Sequence, residues 1–226
     1  MEITKFNHSC IRVSSGGRSL VIDPGTFSPL ELALQGAEAI LATHVHADHL
    51  DLDAVVAAMG REKQLAFHGP AALAASLLAA ATEAGVADAA ARIHGTGPGE
   101  HFEAAGMEIS THGGMHAVIH HSLPVVANIG YFVDRTLYHP GDSYQVPEGI
   151  EVETLLVPAH APWAKIGETI EFLSMVNAAD NIPIHDGLLN ARGLSLVDGH
   201  LGRVAAEHGL GYRRIPNGTP VVLGER

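Results

Sequence analysis

The sequence predicts an α/β protein built as two β-sheets packed face to face, with helices on the outside. Three observations carry this reading. Short runs rich in Ile, Val and Leu open both halves of the chain, and helical stretches follow them each time. Each such sheet buries one face under its helices and must bury the other against a second sheet. The 226 residues are 46% hydrophobic and 17% charged, enough apolar material for a sizeable core. No Pro/Ser-rich linker or block of charge divides the chain, so residues 1–226 are read as one domain.

The elements follow in order. Ile3 to Phe6, Cys10 to Val13 and Ser19 to Ile22 read as strands, with a hairpin turn at Ser14-Ser15-Gly16-Gly17. Asp23-Pro24-Gly25 ends the third strand in a turn. Ala39 to Ala42 is a short buried strand, Asp51 to Met59 a helix stopped at Gly60, and Leu65 to Phe67 a strand. Pro70 to Ala84 is an Ala/Leu-rich helix that Gly85 terminates. In the second half, Met107 to Thr111, Asn128 to Val133 and Thr136 to His139 are strands, the last two joined by a tight turn at Asp134-Arg135. Thr154 to Val157 is a buried strand ending at Pro158, and Ile182 to Ile184 is another. Lys165 to Ala178 and Val197 to His208 are amphipathic helices.

Composition narrows the function classes. A formal net charge of -12 opposes sequence-independent nucleic-acid binding, which needs Lys and Arg to meet phosphates. Cys10 is the sole cysteine, so no intrachain disulfide forms, and a reducing compartment fits. Met1 to Phe6 lacks the basic-then-apolar pattern of a leader, and no window holds 18 uninterrupted apolar residues. These features predict a cytoplasmic protein without membrane association. The expected partner is a small-molecule substrate, and assembly of identical chains is compatible with the sequence.

The run Thr43-His44-Val45-His46-Ala47-Asp48-His49 carries the chemistry. Imidazole nitrogen and carboxylate oxygen are the donors that suit zinc, and also manganese or iron in mixed sites. A segment turning from strand to helix cannot wrap all four side chains around one ion. Two can face one metal while the other two face a neighbour. Other strands also end in candidate donors: Asp23 after Ile22, Asp142 in His139-Pro140-Gly141-Asp142, and His185 after Ile184. After Met107 to Thr111 come His112, His116, His120 and His121, any of which could act. His116 is preferred because it follows Gly113-Gly114 in an expected loop, whereas His112 still sits on the strand. Loops at one edge of a sandwich can converge because the strands fix where they emerge.

The series Asp23, His44-x-His46-x-Asp48-His49, His116, Asp142, His185 resembles the metallo-β-lactamase superfamily over essentially the whole chain. More narrowly, Asn7-His8-Ser9, Val21-Ile22-Asp23-Pro24 and Tyr138-His139-Pro140-Gly141-Asp142-Ser143 resemble the branch that contains ascorbate-6-phosphate lactonase. The resemblance implies a four-layer αββα sandwich of two mixed sheets. It also implies two divalent ions, zinc first, with manganese or iron as alternatives. His44, His46 and His116 would hold one ion, Asp48, His49 and His185 the other, and Asp142 would bridge them. Asp23 would orient the His loop, as carboxylates behind ligating histidines do. The implied activity is hydrolysis of an ester, lactone or phosphodiester by a bridging hydroxide. Asp48 would help orient that hydroxide.

The branch resemblance places His8 near the ions. His8, His120, His121 and His160 are the candidates for the leaving-group acid. His120 and His121 could line the pocket or be plain loop residues, and Trp163 could form an apolar wall or pack in the core. Specificity is expected in residues 25–36, 94–103 and 116–127. Cys10 lies far from the bridging position, which argues against β-lactam hydrolysis. An iron-dependent oxidoreductase and a metal-stabilised binding protein are the rival readings. His46 stands where diiron oxidoreductases of this fold carry Glu, and no flavodoxin-like domain is seen to follow.

Overall fold

A computed structural model describes residues 1–224. Two seven-stranded sheets form its middle. The first runs, in spatial order, β14 (Pro220–Val222), β1 (Glu2–Lys5), β2 (Ile11–Ser15), β3 (Arg18–Ile22), β4 (Ala39–Leu41), β5 (Ala66–Pro70) and β6 (Ile93–Thr96). The second runs β13 (Gly211–Tyr212), β12 (Asp180–Ile184), β11 (Thr154–Pro158), β10 (Leu137–His139), β9 (Ala127–Val133), β8 (Met107–Met115) and β7 (His101–Ala104). Both sheets are mixed: β3 to β6 and β10 to β13 pair in parallel, and the remaining neighbours are antiparallel.

Three apolar layers hold this together. Between the sheets, Ile3, Ile11, Leu20 and Leu41 of the first meet Ile109, Tyr131, Leu156 and Ile182 of the second. Outside the first sheet, Val21, Ile40 and Phe67 are covered by α1 (Leu30–Ala33), α2 (Leu52–Arg61), α3 (Ala71–Glu83) and α4 (Ala89–Arg92). Outside the second, Phe132, Leu155 and Val157 are covered by α5 (Ile166–Val176) and α6 (Ala191–Glu207). Alternation along the strands serves the two layers: Leu20 and Ile22 face the inner core while Val21 faces the helices. No helix of the described residues is long and apolar enough to cross a membrane.

The expected turns form. Gly16 and Gly17 have φ of 59° and 80°, and Asp134 and Arg135 have φ of 46° and 53°, the left-handed pairs that tight hairpins need. Several expectations need correction. Residues 94–103, expected as a specificity loop, lie largely in the edge strands β6 and β7. Gly113 and Gly114 are not in a loop but remain in β8, opposite Ile129 and Asn128. Helix α6 starts at Ala191, not Val197, because Asn190 caps it, accepting from the Arg192 and Gly193 amides. Gly193 and Ser195 disguise that first turn in the sequence.

The topology places the site. β1 and β3 run in the same sense because each is antiparallel to β2, and β4 is parallel to β3. In the second sheet β8 and β10 share one sense, as do β11 and β12. The loops that leave β1, β3, β4, β8, β10 and β12 therefore carry the candidate residues. Backbone hydrogen bonds join the sheets near this edge: Ile129 N–H donates to the Thr43 carbonyl at 2.9 Å, and His185 N–H to the His8 carbonyl at 3.0 Å.

Candidate metal centre

Two groups of side chains meet at this edge, each with donor atoms within 4.8 Å of one another: His44, His46, His116 and Asp142, and His8, Asp48, His49 and His185. Asp142 stands between them. Its Oδ1 lies 3.1 Å from His49 Nε2 and 3.2 Å from His185 Nε2, and its Oδ2 lies 3.3 Å from His116 Nε2. His120 and His121 stand outside both groups. They are exposed, their rings 4.0 Å apart, and His120 Nδ1 is 2.8 Å from Ser122 Oγ. His112 points away, with its Nε2 at Ser110 Oγ and its ring against Phe132 and Tyr138. His160 contributes its backbone carbonyl, which accepts from His185 Nδ1.

The hydrogen bonds behind the rings set their tautomers. Asp23 is fully buried and accepts from Thr43 N–H, Thr43 Oγ1 and His49 Nδ1, each at 2.7 Å. Since Thr43 Oγ1 donates to Asp23, it accepts from His44 Nδ1 at 2.9 Å. His116 Nδ1 donates to the Ala117 carbonyl. His44, His49, His116 and His185 are therefore protonated on Nδ1 and turn an Nε2 lone pair to the centre. His46 approaches through Nδ1, 3.1 Å from His44 Nε2. His8 differs: its Nδ1 accepts from the Gly187 amide at 3.2 Å, so its Nε2 carries the proton and donates to Asp48 Oδ2 at 3.1 Å. His8 orients a carboxylate and offers no lone pair.

These facts test the fit of a cation. His49 Nε2, His116 Nε2, His185 Nε2 and Asp142 Oδ1 are buried without a hydrogen-bond partner. Buried polar atoms are rarely left so, and here all four face one another as acceptors. Lone pairs of neutral imidazoles and a carboxylate repel at about 3 Å unless a proton or a cation lies between them. The set suits divalent zinc, manganese or iron.

Charge follows the same logic. Burial works against a charged His49, but Asp142 and Asp23 outweigh it and raise its pKa well above 6.5. Burial, and then His49, lower His44 well below 6.5, so it is neutral. Burial raises Asp48, but the His8 hydrogen bond and His49 and His185 bring it down to about 2. Binding of a cation beside His49 must therefore expel a proton, and affinity is expected to fall about tenfold for each unit that pH is lowered while His49 is protonated. The chelator-treated protein is expected to behave in the opposite sense. A raised histidine stabilises the fold fully below its unfolded value of 6.5, and this contribution fades as pH rises through the folded value. Melting scans between pH 6.5 and 9 should show the metal-free protein losing stability and the zinc-loaded protein not. Parallel curves for the two forms would contradict this.

The backbone is shaped to the task. His8, Asp23 and His185 each sit at a left-handed φ, 49°, 50° and 56°, at about 1–2 kcal/mol apiece for a residue with a Cβ. Each turns its side chain inward where a strand ends. Gly25 lies under the His loop, and a Cβ there would be 1.9 Å from the Asp48 carbonyl oxygen and 2.5 Å from His49 N. Gly25→Ala must push the loop away. A loss of about 3 kcal/mol and weaker zinc binding are expected, measured by denaturant unfolding and zinc titration.

Two supporting residues, Asn128 and His139, were missed at the sequence level, and a third, Trp163, was read only as an apolar wall or core residue. Asn128 accepts from Asp142 N–H at 2.9 Å and donates to the Pro140 carbonyl at 2.9 Å. His139 Nδ1 accepts from Gly141 N–H, and its Nε2 donates to the Ser9 carbonyl. Trp163 Nε1 donates to Asp142 Oδ2 at 2.8 Å, so the indole restrains the central carboxylate as well as walling the site. A polar residue in an otherwise apolar strand, as Asn128 is, was the one readable signal.

The comparisons agree with this architecture. The family model described as a β-lactamase superfamily domain matches residues 2–185. Protein Rv0786c of Mycobacterium tuberculosis (strain H37Rv) is 37% identical over 201 residues, covering 86% of this chain and 89% of that protein. Among solved structures, Igni18, a metallo hydrolase from Ignicoccus hospitalis, superposes with a TM-score of 0.72 at 20% identity, over 97% of each chain. CmlA, a diiron β-hydroxylase from Streptomyces venezuelae, reaches 0.70 at 15% identity, over 95% of this chain and 52% of that one. At such identities the structures share the fold alone. With two mixed seven-stranded sheets, two metal-competent groups at their common edge and a family match over most of its length, this chain belongs to the β-lactamase superfamily and has the metallo-β-lactamase fold.

Proposed function

We propose that the protein is a binuclear metal-dependent hydrolase that cleaves an ester, lactone or phosphodiester bond. The observation that carries this is the convergence of partnerless buried acceptors from His49, His116, His185 and Asp142. His44, His46 and His116 would hold the first ion, and Asp48, His49 and His185 the second. Asp142 serves both, with Oδ1 toward the second group and Oδ2 toward the first. When bound, a pair of divalent cations lowers the pKa of a water and draws charge from the bond it attacks.

The chain's own residues set the geometry for that chemistry. Asp23 and Thr43 hold His49 and His44 through Nδ1 with Nε2 facing the centre, so neither ring needs to reorient on binding and His49 has only its Nε2 proton to give up. Asp48 stays ionised down to about pH 2 and is fixed by the His8 N–H. Of the eight grouped side chains, His46 and Asp48 are the two that are not fully buried, so they mark the side from which substrate enters. Trp163 and Tyr144, with rings 4.8 Å apart, exclude water behind Asp142.

The test combines elemental analysis of protein purified without chelator with a screen of chromogenic esters, lactones and phosphodiesters under zinc, manganese and iron(II). Two ions per chain and metal-dependent hydrolysis are expected. One ion with full activity would end the binuclear reading, and two ions with no hydrolysis would end the hydrolytic one.

A further inference from the structure

The loops that carry the site also carry apolar side chains into solvent. Val45 stands between His44 and His46, Leu188 three residues after His185, and Val118, Ile119 and Leu123 follow His116. The Phe27 ring lies 5.0 Å from that of His8. All six are between 39% and 62% exposed. Isolated exposed apolar residues are ordinary, but these six lie on the four loops that bear the site, and exposed apolar groups gathered around a site mark binding surfaces.

Apart from Asp48 and Asp142 of the centre itself and the buried Asp186, charge is missing from the same loops. Residues 24–29, 43–47, 115–127 and 159–164 contain no Lys, Arg, Asp or Glu. Of the nearby cations, Lys5, Arg214 and Lys165 are paired with carboxylates. Lys5 is buried against both oxygens of Asp186, at 2.8 and 2.7 Å, and Arg214 is held by Asp186 and by Asp198. Lys165 pairs with Glu168 at 2.8 Å, and Arg192 lies with His200 and Arg203 along the exposed side of α6. An enzyme for an anionic substrate places Arg or Lys where the anion docks. Among the described residues these loops place none, and a net charge of -12 further repels anions.

Resting on the hydrolase reading above, we infer that the substrate is an uncharged carboxylic ester or lactone with a hydrocarbon or aromatic acyl group, seated on the rim formed by Val45, Val118, Ile119, Leu123, Phe27 and Leu188. Water adds to the acyl carbon and the bond to the alkoxy oxygen breaks, giving the carboxylic acid and the alcohol (a hydroxy acid from a lactone). No co-reactant is needed. The phosphodiester alternative is the one the loops disfavour.

The zinc-loaded protein should be assayed with p-nitrophenyl acetate, butyrate, valerate, hexanoate and octanoate, with the hemiglutarate as an anionic match for the valerate, and with bis-p-nitrophenyl phosphate. Full burial of one methylene is worth about fourfold, so on a half-open rim kcat/KM should rise at least about tenfold from acetate to hexanoate. The valerate should exceed the hemiglutarate. In the Val118→Ser/Leu123→Ser double variant the hexanoate-to-acetate ratio should fall below about threefold. Calorimetric titration with octanoate and acetate gives a reading independent of turnover, with octanoate tighter in wild type and the gap closed in the variant. A flat chain-length series, equal rates for the charged ester, or a phosphodiester cleaved faster than every ester would overturn the inference. Absence of all hydrolysis would instead fail the hydrolase reading, while the titration still decides whether the rim takes hydrocarbon.

Discussion

Asp142→Asn is expected to reduce turnover by at least about a hundredfold while the melting of the chelator-treated protein moves little. The carboxylate faces both metal-competent sets, one oxygen to each. Its Oδ2 already accepts from Trp163 Nε1, so an asparagine would keep its oxygen there and turn its amide toward His49 and His185. An N–H donor aimed at two Nε2 lone pairs satisfies them without a cation. The second ion should be lost first, because both of those rings belong to its group. The fold should survive, since the turn is held by the Asp142 backbone N–H on Asn128 rather than by the carboxylate. Metal content, turnover and metal-free melting would be compared with wild type. Near-normal turnover with two ions retained would reduce Asp142 to a turn residue and remove the centre of the mechanism.

Asp23→Asn should have a comparable effect from farther away. The asparagine oxygen can still accept from Thr43 N–H, but its amide then faces His49 Nδ1. Two donors cannot share that contact, so His49 must become an acceptor at Nδ1 and carry its proton on Nε2. That proton points at Asp142, where the cation belongs. Zinc affinity of the second group should drop by about 10- to 100-fold, the range seen when the partner of a ligating histidine is changed. The signature is spectroscopic: with both proteins at a pH where the His49 ring is neutral, its nitrogen shifts should report the opposite tautomer in the variant. An unchanged tautomer with normal zinc binding would show that Asp23 does not govern the ring.

The sequence made the donor series legible because a His-rich strand end is chemically conspicuous and because strand ends are where polar groups collect. The choice between His112 and His116 came out with His116 at the site, yet for a partly mistaken reason. The glycines before it remain in β8; what separates the two histidines is that His112 sits within the strand with its ring against Phe132 and Tyr138, whereas His116 lies just past the strand end and turns to the centre. The hidden parts were long-range. Nothing local in Asn128, His139 or Gly25 tells that each meets a loop 14, 130 or 23 residues away. The edge strands β6, β7, β13 and β14 escaped notice because short edge strands need no apolar periodicity, only a neighbour with free backbone groups.

The placement of β14 against β1 has a kinetic consequence. Strands β1 to β6 build the first sheet and β7 to β13 the second, after which the chain returns to pair Val221 with Ile3. The first sheet thus gains its outermost strand only after the second has been synthesised. Pairings separated by most of the chain are slow to form because their loop must close before any contact rewards it. During synthesis, β1 presents an open edge and an apolar face that residue 109 and beyond will later cover. A pulse-labelled refolding experiment should find amides of β3 to β5 protected early and those of β1 protected last. Aggregation, where it occurs, should begin from the emerging amino-terminal half.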